Sequence, residues 1–302
     1  GQPLQRGVLN QLKKRLELYG IHIEKVWGVK KNNKIEVAFT GHCGKNQCLT
    51  KTDVAAVLSE ELGAKLTPAR ETRNVLSRES QTMYFRQDTC YKGLTAVARV
   101  SRWDQQVSGD NYSFLELESG ELLLVLADGM GYGGEAERDS GSLIETLEHL
   151  LEAGFEKQTA WRLLNTLLVA EYEGESFTTL DMVSVDLYTG WCQFIKSGAA
   201  AAYLYREGQV EVIEAQSLPV GVSVDTGCDV VKRQLIPGDM VILVSDGVPD
   251  GYEKDMTEMI REGAGPNAQE FANQILIHAL AGASQEAADD MTVLVLGFWN
   301  KN

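Results

Sequence analysis

From Met83 to the end of the chain the sequence is a succession of short β-like runs, and their spacing restricts the fold more than any other feature. YKGLTAVARVS, YSFLELES, ELLLVLADG, MVSVDLYTG, WCQFIKSG, AAYLYREG, QVEVIEA, DMVILVSDG and MTVLVLGFW are short β-like runs closed by turn residues. Two helical stripes interrupt them. Leu143, Leu147, Leu150 and Leu151 form the first, which Gly154 stops, and Ala160, Leu163, Leu164, Leu167 and Leu168 form the second. A third helix is expected around Phe271, Ile275 and Ala279. Many strands with few helices between them predict an α+β fold, not a parallel βαβ array: a central antiparallel β-sandwich flanked by helices.

The first 80 residues read differently. Leu4, Val8, Leu12, Leu16 and Leu18 predict an amphipathic helix ended by Gly20, and IHIEKVWGV and KIEVAFT predict a hairpin around KKNNK. A second helix is expected after Thr50 to Asp53, with Val54, Val57, Leu58 and Leu62 on one face and Gly63 as its stop. Residues 1–80 are therefore expected to form a small α/β module, joined to residues 81–302 through the polar segment TPARETRNVLSRES.

Within the strand-rich part, four acidic sites occupy equivalent places. Asp110 precedes a strand that turns at Ser119-Gly120, and the return strand runs into Asp128-Gly129. A hairpin with that spacing brings both carboxylates to the same open end. MVILVSDGV repeats the strand that ends in Asp-Gly, at Asp246, and Asp289-Asp290 immediately precede the last strand. Antiparallel neighbours set the start of one strand beside the end of the next, so all four sites can converge on one edge. Carboxylates packed together repel one another unless cations neutralise them, and hard oxygen donors select Mg²⁺ or Mn²⁺ over zinc. Two such ions could clamp a phosphoryl group and activate a water. A single Asp-Gly is more often a plain turn; the repeated device carries the metal reading.

Other site types fit less well. The glycine-rich ADGMGYGG lacks the Lys-Ser/Thr of a P-loop and does not match GxGxxG. No histidine sits in a nucleophile pattern, and Ser108 and Ser245 read as turn hydrogen-bonders because no base is visible beside them. His42, Cys43 and Cys48 lack an obvious fourth ligand for structural zinc. The 43 acidic against 28 basic residues give a net charge of −15, which argues against nucleic acid or an anionic membrane as partner. Five scattered cysteines suggest reduced thiols and a cytosolic location. The chain has no signal peptide or membrane-length apolar run, and its non-Met start reads as the soluble portion of a longer protein.

Taken in order, VSGDNYSF, ADGMGYG, TLDMVSVDLYTG, SLPVGV, PGDMVILVSDGV and DDMTVLV resemble the metal-dependent protein serine/threonine phosphatases of the type 2C class. The resemblance covers residues 83–302, and the ADGMG wording before a long helical pair is closer to the sporulation branch than to the stress-response branch. It implies a dinuclear Mn²⁺ or Mg²⁺ centre with Asp128, Asp246 and Asp289 as its catalytic set. Asp128 would bridge the ions, Gly129 would offer its carbonyl, Asp246 and Asp289 (with Asp290 as the alternate) would hold one ion, and Asp110 would reach in from the hairpin. The class places a phosphate-binding arginine a few residues before its first aspartate; here Arg102 stands eight residues before Asp110. The implied substrate is a phosphoserine or phosphothreonine on a small anti-anti-sigma factor, whose release activates a sigma factor. Cell-division proteins, a homodimer joined through helices near the active site, and anchoring to a membrane by a part outside this chain are implied as well. The helices at 135–170 would form a regulatory element, with Tyr132, Gly133, Gly134, Leu143 and Leu147 as its switch residues; covering the sheet would suffice to explain both helices. A stress-response sigma-regulator phosphatase, a septal scaffold with weak catalysis and a hydrolase of small phosphoesters are the competing readings.

Overall fold

The computed structural model describes residues 1–31, 34–45, 47–102, 107–130, 133–172, 177–214, 216–250, 256–282, 287 and 289–301. It divides into two compact units, Gly1–Asp88 and Thr89–Asn302.

The first unit comprises β1 (Gln2–Pro3), α1 (Arg6–Leu18), β2 (Ile21–Lys31), β3 (Lys34–Cys43), β4 (Leu49–Thr50), α2 (Lys51–Leu62), β5 (Leu66–Pro68), β6 (Val75–Leu76) and β7 (Gln81–Gln87). The order β1-β2-β3-β7-β5 forms an antiparallel sheet. Both helices pack on it through Leu12, Leu16, Val54 and Leu58 against Phe39, Met83 and Phe85. The expected α1 stripe holds for Leu12 and Leu16, whereas Leu18 is 78% exposed because it lies half a turn off that line. The Thr50 side chain accepts from the Asp53 N–H and the Asp53 carboxylate accepts from the Thr50 N–H, a reciprocal cap, and Gly63 ends α2 in the left-handed region. The division falls after Asp88 because β7 is hydrogen-bonded along β3, from Glu36 opposite Arg86 to Gly41 opposite Gln81. The polar segment 67–80 accordingly lies within this unit, pinned by the short β4–β6 pairing.

The second unit comprises β8 (Tyr91–Val100), β9 (Asp110–Glu116), β10 (Glu121–Gly129), α3 (Gly134–Glu152), α4 (Lys157–Tyr172), β11 (Thr178–Asp186), β12 (Trp191–Ser197), β13 (Ala202–Arg206), β14 (Gln209–Ile213), β15 (Asp229–Gln234), β16 (Met240–Val244), α5 (Gly247–Asp250), α6 (Met256–Gly263), α7 (Ala268–Gly282) and β17 (Met291–Asn300). Two five-stranded antiparallel sheets result, β15-β12-β11-β10-β9 and β14-β13-β16-β17-β8. Leu124, Leu126, Val183 and Phe194 of one meet Leu204, Val241, Leu243 and Leu294 of the other in a shared core. The alternate residues face outward: Leu123, Val125 and Met182 pack under α3 and α4, and Ile242, Val293 and Val295 pack under α6 and α7. This is the helix-flanked antiparallel sandwich expected from the strand pattern. Because both faces of each central strand are covered, β10, β16 and β17 are continuously apolar, not alternating. Among the described residues, no helix is long and apolar enough to cross a membrane.

Candidate metal centre

The hairpin β9–β10 sets Asp110 directly opposite Asp128, at the end of the ladder where Gly129 then pairs with Thr178 of β11. β16 and β17 pair from Met240–Gly297 to Val244–Val293, so Ser245-Asp246 emerges beside Asp290-Met291. The two sheets thus deliver their aspartates to one end of the sandwich. Asp110 and Asp290 are buried, Asp128 is half-buried, and Asp246 and Asp289 are exposed.

Hydrogen bonds fix the lower part of this cluster. Thr292 Oγ1 donates to Asp110 Oδ2 at 2.6 Å, tying the two sheets together. Ser245 Oγ accepts from the Thr292 N–H at 2.8 Å, and Ser108 Oγ accepts from the Asp110 N–H at 3.2 Å. Both serines therefore act as turn hydrogen-bonders. The neighbours Asp289 and Asp290 are separated by their partners. Asp290 uses both oxygens on backbone donors, Oδ2 from Gly109 at 2.7 Å and Oδ1 from Arg102 at 2.9 Å. Asp289 accepts locally, from the Asp290 N–H at 2.9 Å. Arg102 thus meets the site through its main chain.

Charge is the dominant property. Burial, then Asp110, Asp246, Asp289 and Asp290 in that order, push the Asp128 carboxyl up to about 8. Burial also raises Asp110, to about 6, against the Thr292 hydrogen bond that favours its ionised form. Asp110 Oδ1 is buried and has no hydrogen-bond partner. A carboxylate oxygen in that condition is costly unless a cation or donor meets it. Among the described residues, no three His, Cys, Asp or Glu side chains converge on one point as a closed set of ligands. The donor set consists of carboxylates with one orphaned buried oxygen, and it fits hard divalent cations.

Two glycines are required by close packing. A Cβ on Gly129 would lie 2.5 Å from the Ala136 carbonyl oxygen, and one on Gly247 would lie 2.2 Å from that of Asp290. Gly247→Ala must therefore displace the Asp289-Asp290 segment. The expected result is a destabilisation of about 2–3 kcal/mol with loss of Mn²⁺ affinity, checked by urea unfolding and calorimetric titration.

Of the proposed switch residues, Gly133 has φ 77° and caps α3, Gly134 begins that helix with open space around it, and Tyr132 lies outside the described residues. Leu143 and Leu147 are buried against β10, in the cluster that holds Leu123, Val125 and Ala127. A polar link missing from the sequence reading joins α3 to the aspartate hairpin. Ser140, fully buried, lies 2.6 Å from the Gly109 carbonyl and accepts from Asn111 Nδ2 at 2.9 Å. A serine on an otherwise apolar helical stripe was the available signal.

The family model for "Stage II sporulation protein E (SpoIIE)" matches residues 118–299. Stage II sporulation protein E of Bacillus subtilis is 29% identical over 297 residues, or 95% of this chain, and the chain spans 35% of that relative's length. A solved structure of the PP2C phosphatase domain with a fragment of the regulatory domain of SpoIIE from Bacillus subtilis is similar over 98% of this chain and 88% of that one, with a TM-score of 0.73 and 27% identity. The catalytic domain of the serine/threonine protein phosphatase PstP, solved with two manganese ions, shares the fold over 70% of this chain and all of its own, with a TM-score of 0.57 and 22% identity. A helix-flanked sandwich with its aspartates gathered at one end, matched in sequence and in structure, leads to one conclusion: the chain belongs to the stage II sporulation protein E family, and its second unit is a PP2C-type serine/threonine phosphatase domain.

Proposed function

We propose that the chain hydrolyses phosphoserine or phosphothreonine on a small anti-anti-sigma factor with Mn²⁺ or Mg²⁺ bound at the aspartate cluster, thereby activating a sporulation sigma factor. The observation that carries the metal assignment is the buried, unpartnered Oδ1 of Asp110 facing a cluster of carboxylates that raise Asp128. When bound, two divalent ions supply an activated water and neutralise the phosphoryl oxygens. The chain's own residues prepare that chemistry. Asp128, Asp246 and Asp289 are the ligands, with the Gly129 carbonyl beside Asp128 and Asp110 reaching the cluster through its free oxygen. Asp290 serves as the clamp of the Arg102 and Gly109 main chains, since both its oxygens already accept their N–H groups. The products are the unmodified hydroxyl protein and inorganic phosphate.

Regulation is assigned to α3 and α4 and to the first unit. The Ser140–Gly109 contact and the glycine cap at Gly133 support α3 as the element that shifts the hairpin carrying Asp110. A homodimer through these helices, contacts with cell-division proteins and membrane anchoring outside the chain complete the reading.

The test is phosphate release from a serine-phosphorylated anti-anti-sigma protein. Release that depends on Mn²⁺ and stops with EDTA is the expected result. Release that persists in EDTA sinks the metal centre, and hydrolysis of small phosphoesters without the phosphoprotein sinks the substrate assignment.

A further inference from the structure

The inner face of the sandwich changes chemistry as it approaches the aspartates. Its middle is apolar, with Leu124, Val183, Phe194, Leu243 and Leu294. Two residues further along β11 and β12 stand Asp181 and Lys196, cross-strand partners that are 1% and 0% exposed. Lys196 Nζ donates to Asp181 Oδ2. The other oxygen, Asp181 Oδ1, is buried and has no hydrogen-bond partner. Asp181 lines a cavity of about 30 Å³ whose remaining polar walls are Asp128, Thr179, Ser245 and Asp246.

A purely structural ion pair gains from satisfying every lone pair, and an apolar pair of similar volume usually serves a core as well or better. Here one carboxylate oxygen is left without a partner on a residue that lines a polar cavity, of a size that holds one or two waters and with polar walls able to supply the partners a buried water needs. Burial pushes the Asp181 carboxyl up, Lys196 opposes that shift, and the ion pair occupies Oδ2, which leaves Oδ1 as the oxygen available to the cavity that Asp181 lines.

We propose that Asp181, locked by Lys196, holds an ordered water in this cavity, and that the water orients the Asp128 and Asp246 carboxylates for a divalent cation. Asp181 is then a positioning residue of the centre, acting through the carboxylates that bind the ions. The inference rests on the metal-centre reading above.

The test uses the full chain and the double substitution Asp181→Val with Lys196→Met, which removes both charges together and leaves no buried ion unpaired. The double variant is expected to keep a single cooperative thermal transition near that of the unsubstituted protein. Its affinity for Mn²⁺, titrated by calorimetry in the absence of substrate, is expected to fall about 10–100-fold. Unchanged Mn²⁺ affinity in the folded double variant would overturn the proposal. A high-resolution crystal structure of the unsubstituted protein with Mn²⁺ is the second measurement. It should contain a water within hydrogen-bond distance of Asp181 Oδ1 and of Asp128 or Asp246, and an empty cavity or a cation at that point would overturn the proposal even if the double variant failed to fold. If the unsubstituted protein binds no Mn²⁺ at all, the metal-centre reading itself fails, an outcome distinct from either of these.

Discussion

Asp128→Asn lowers the rate of phosphoprotein hydrolysis by about a thousandfold or more and, in the metal-free protein, raises the thermal midpoint. On the proposed mechanism, loss of activity follows from removing a carboxylate that would hold the cations supplying charge stabilisation and an activated water. The gain in stability follows from the same geometry. Asp128 is held at about 8, against an ordinary 3.8, by burial and by four neighbouring carboxylates. A carboxyl raised in the folded state favours folding below about pH 4, and that contribution is lost as the pH climbs toward 8. The metal-free protein should therefore lose stability between pH 5 and pH 8, and the amide should remove much of that loss, on the order of 2–4 kcal/mol at pH 8. Differential scanning calorimetry across that range, with and without Mn²⁺, checks both signs. A variant that is inactive and also less stable without metal at pH 8 would show that Asp128 is structural and not a repelled ligand.

Lys196→Met alone destabilises the second unit by about 3–5 kcal/mol, because it leaves the Asp181 carboxylate in the interior without its cation. In a unit of this size that lowers the thermal midpoint by about 10 °C or more. The single substitution is thus expected to be far worse than the double one, the signature of a coupled buried pair. A single-variant midpoint within 2 °C of the parent would mean that the lysine cation is dispensable to the folded state.

The carboxylate end of the sandwich was legible because hairpin register is a counting problem. Asp110 and Asp128 flank a tight turn at nearly equal distances, and the ladder places them opposite one another as that spacing requires. Strand-to-strand proximity of Asp246 and Asp289 followed from the same logic. The α7 stripe of Phe271, Ile275 and Ala279 was equally plain, and all three are fully buried. Side-chain bookkeeping was harder to read. The two aspartates of the DDMT segment differ in what their oxygens already accept, which depends on a loop more than 180 residues away in sequence. Lys196 lay inside the run WCQFIKSG and Asp181 one residue before the run MVSVDLYTG, although both charges fall on the inward-facing positions shared with Val183 and Phe194. An ionisable residue at an inward position on each of two adjacent strands was a visible signal; their partnership needed the register. The pairing of β7 with β3 was not legible either, because a strand's sequence names its pairing tendency and not its partner.

The measurement that bears most directly on the centre is calorimetric titration of the full chain with Mn²⁺ at pH 7 in two buffers of different ionisation enthalpy, which counts the protons released on binding. Asp128, whose carboxyl burial and its neighbours push up to about 8 in the metal-free protein, must be ionised to bind a cation. The account predicts binding with release of about one proton, and binding with no proton release in Asp128→Asn. Binding that releases no proton from the unsubstituted protein, or no binding at all, would contradict it.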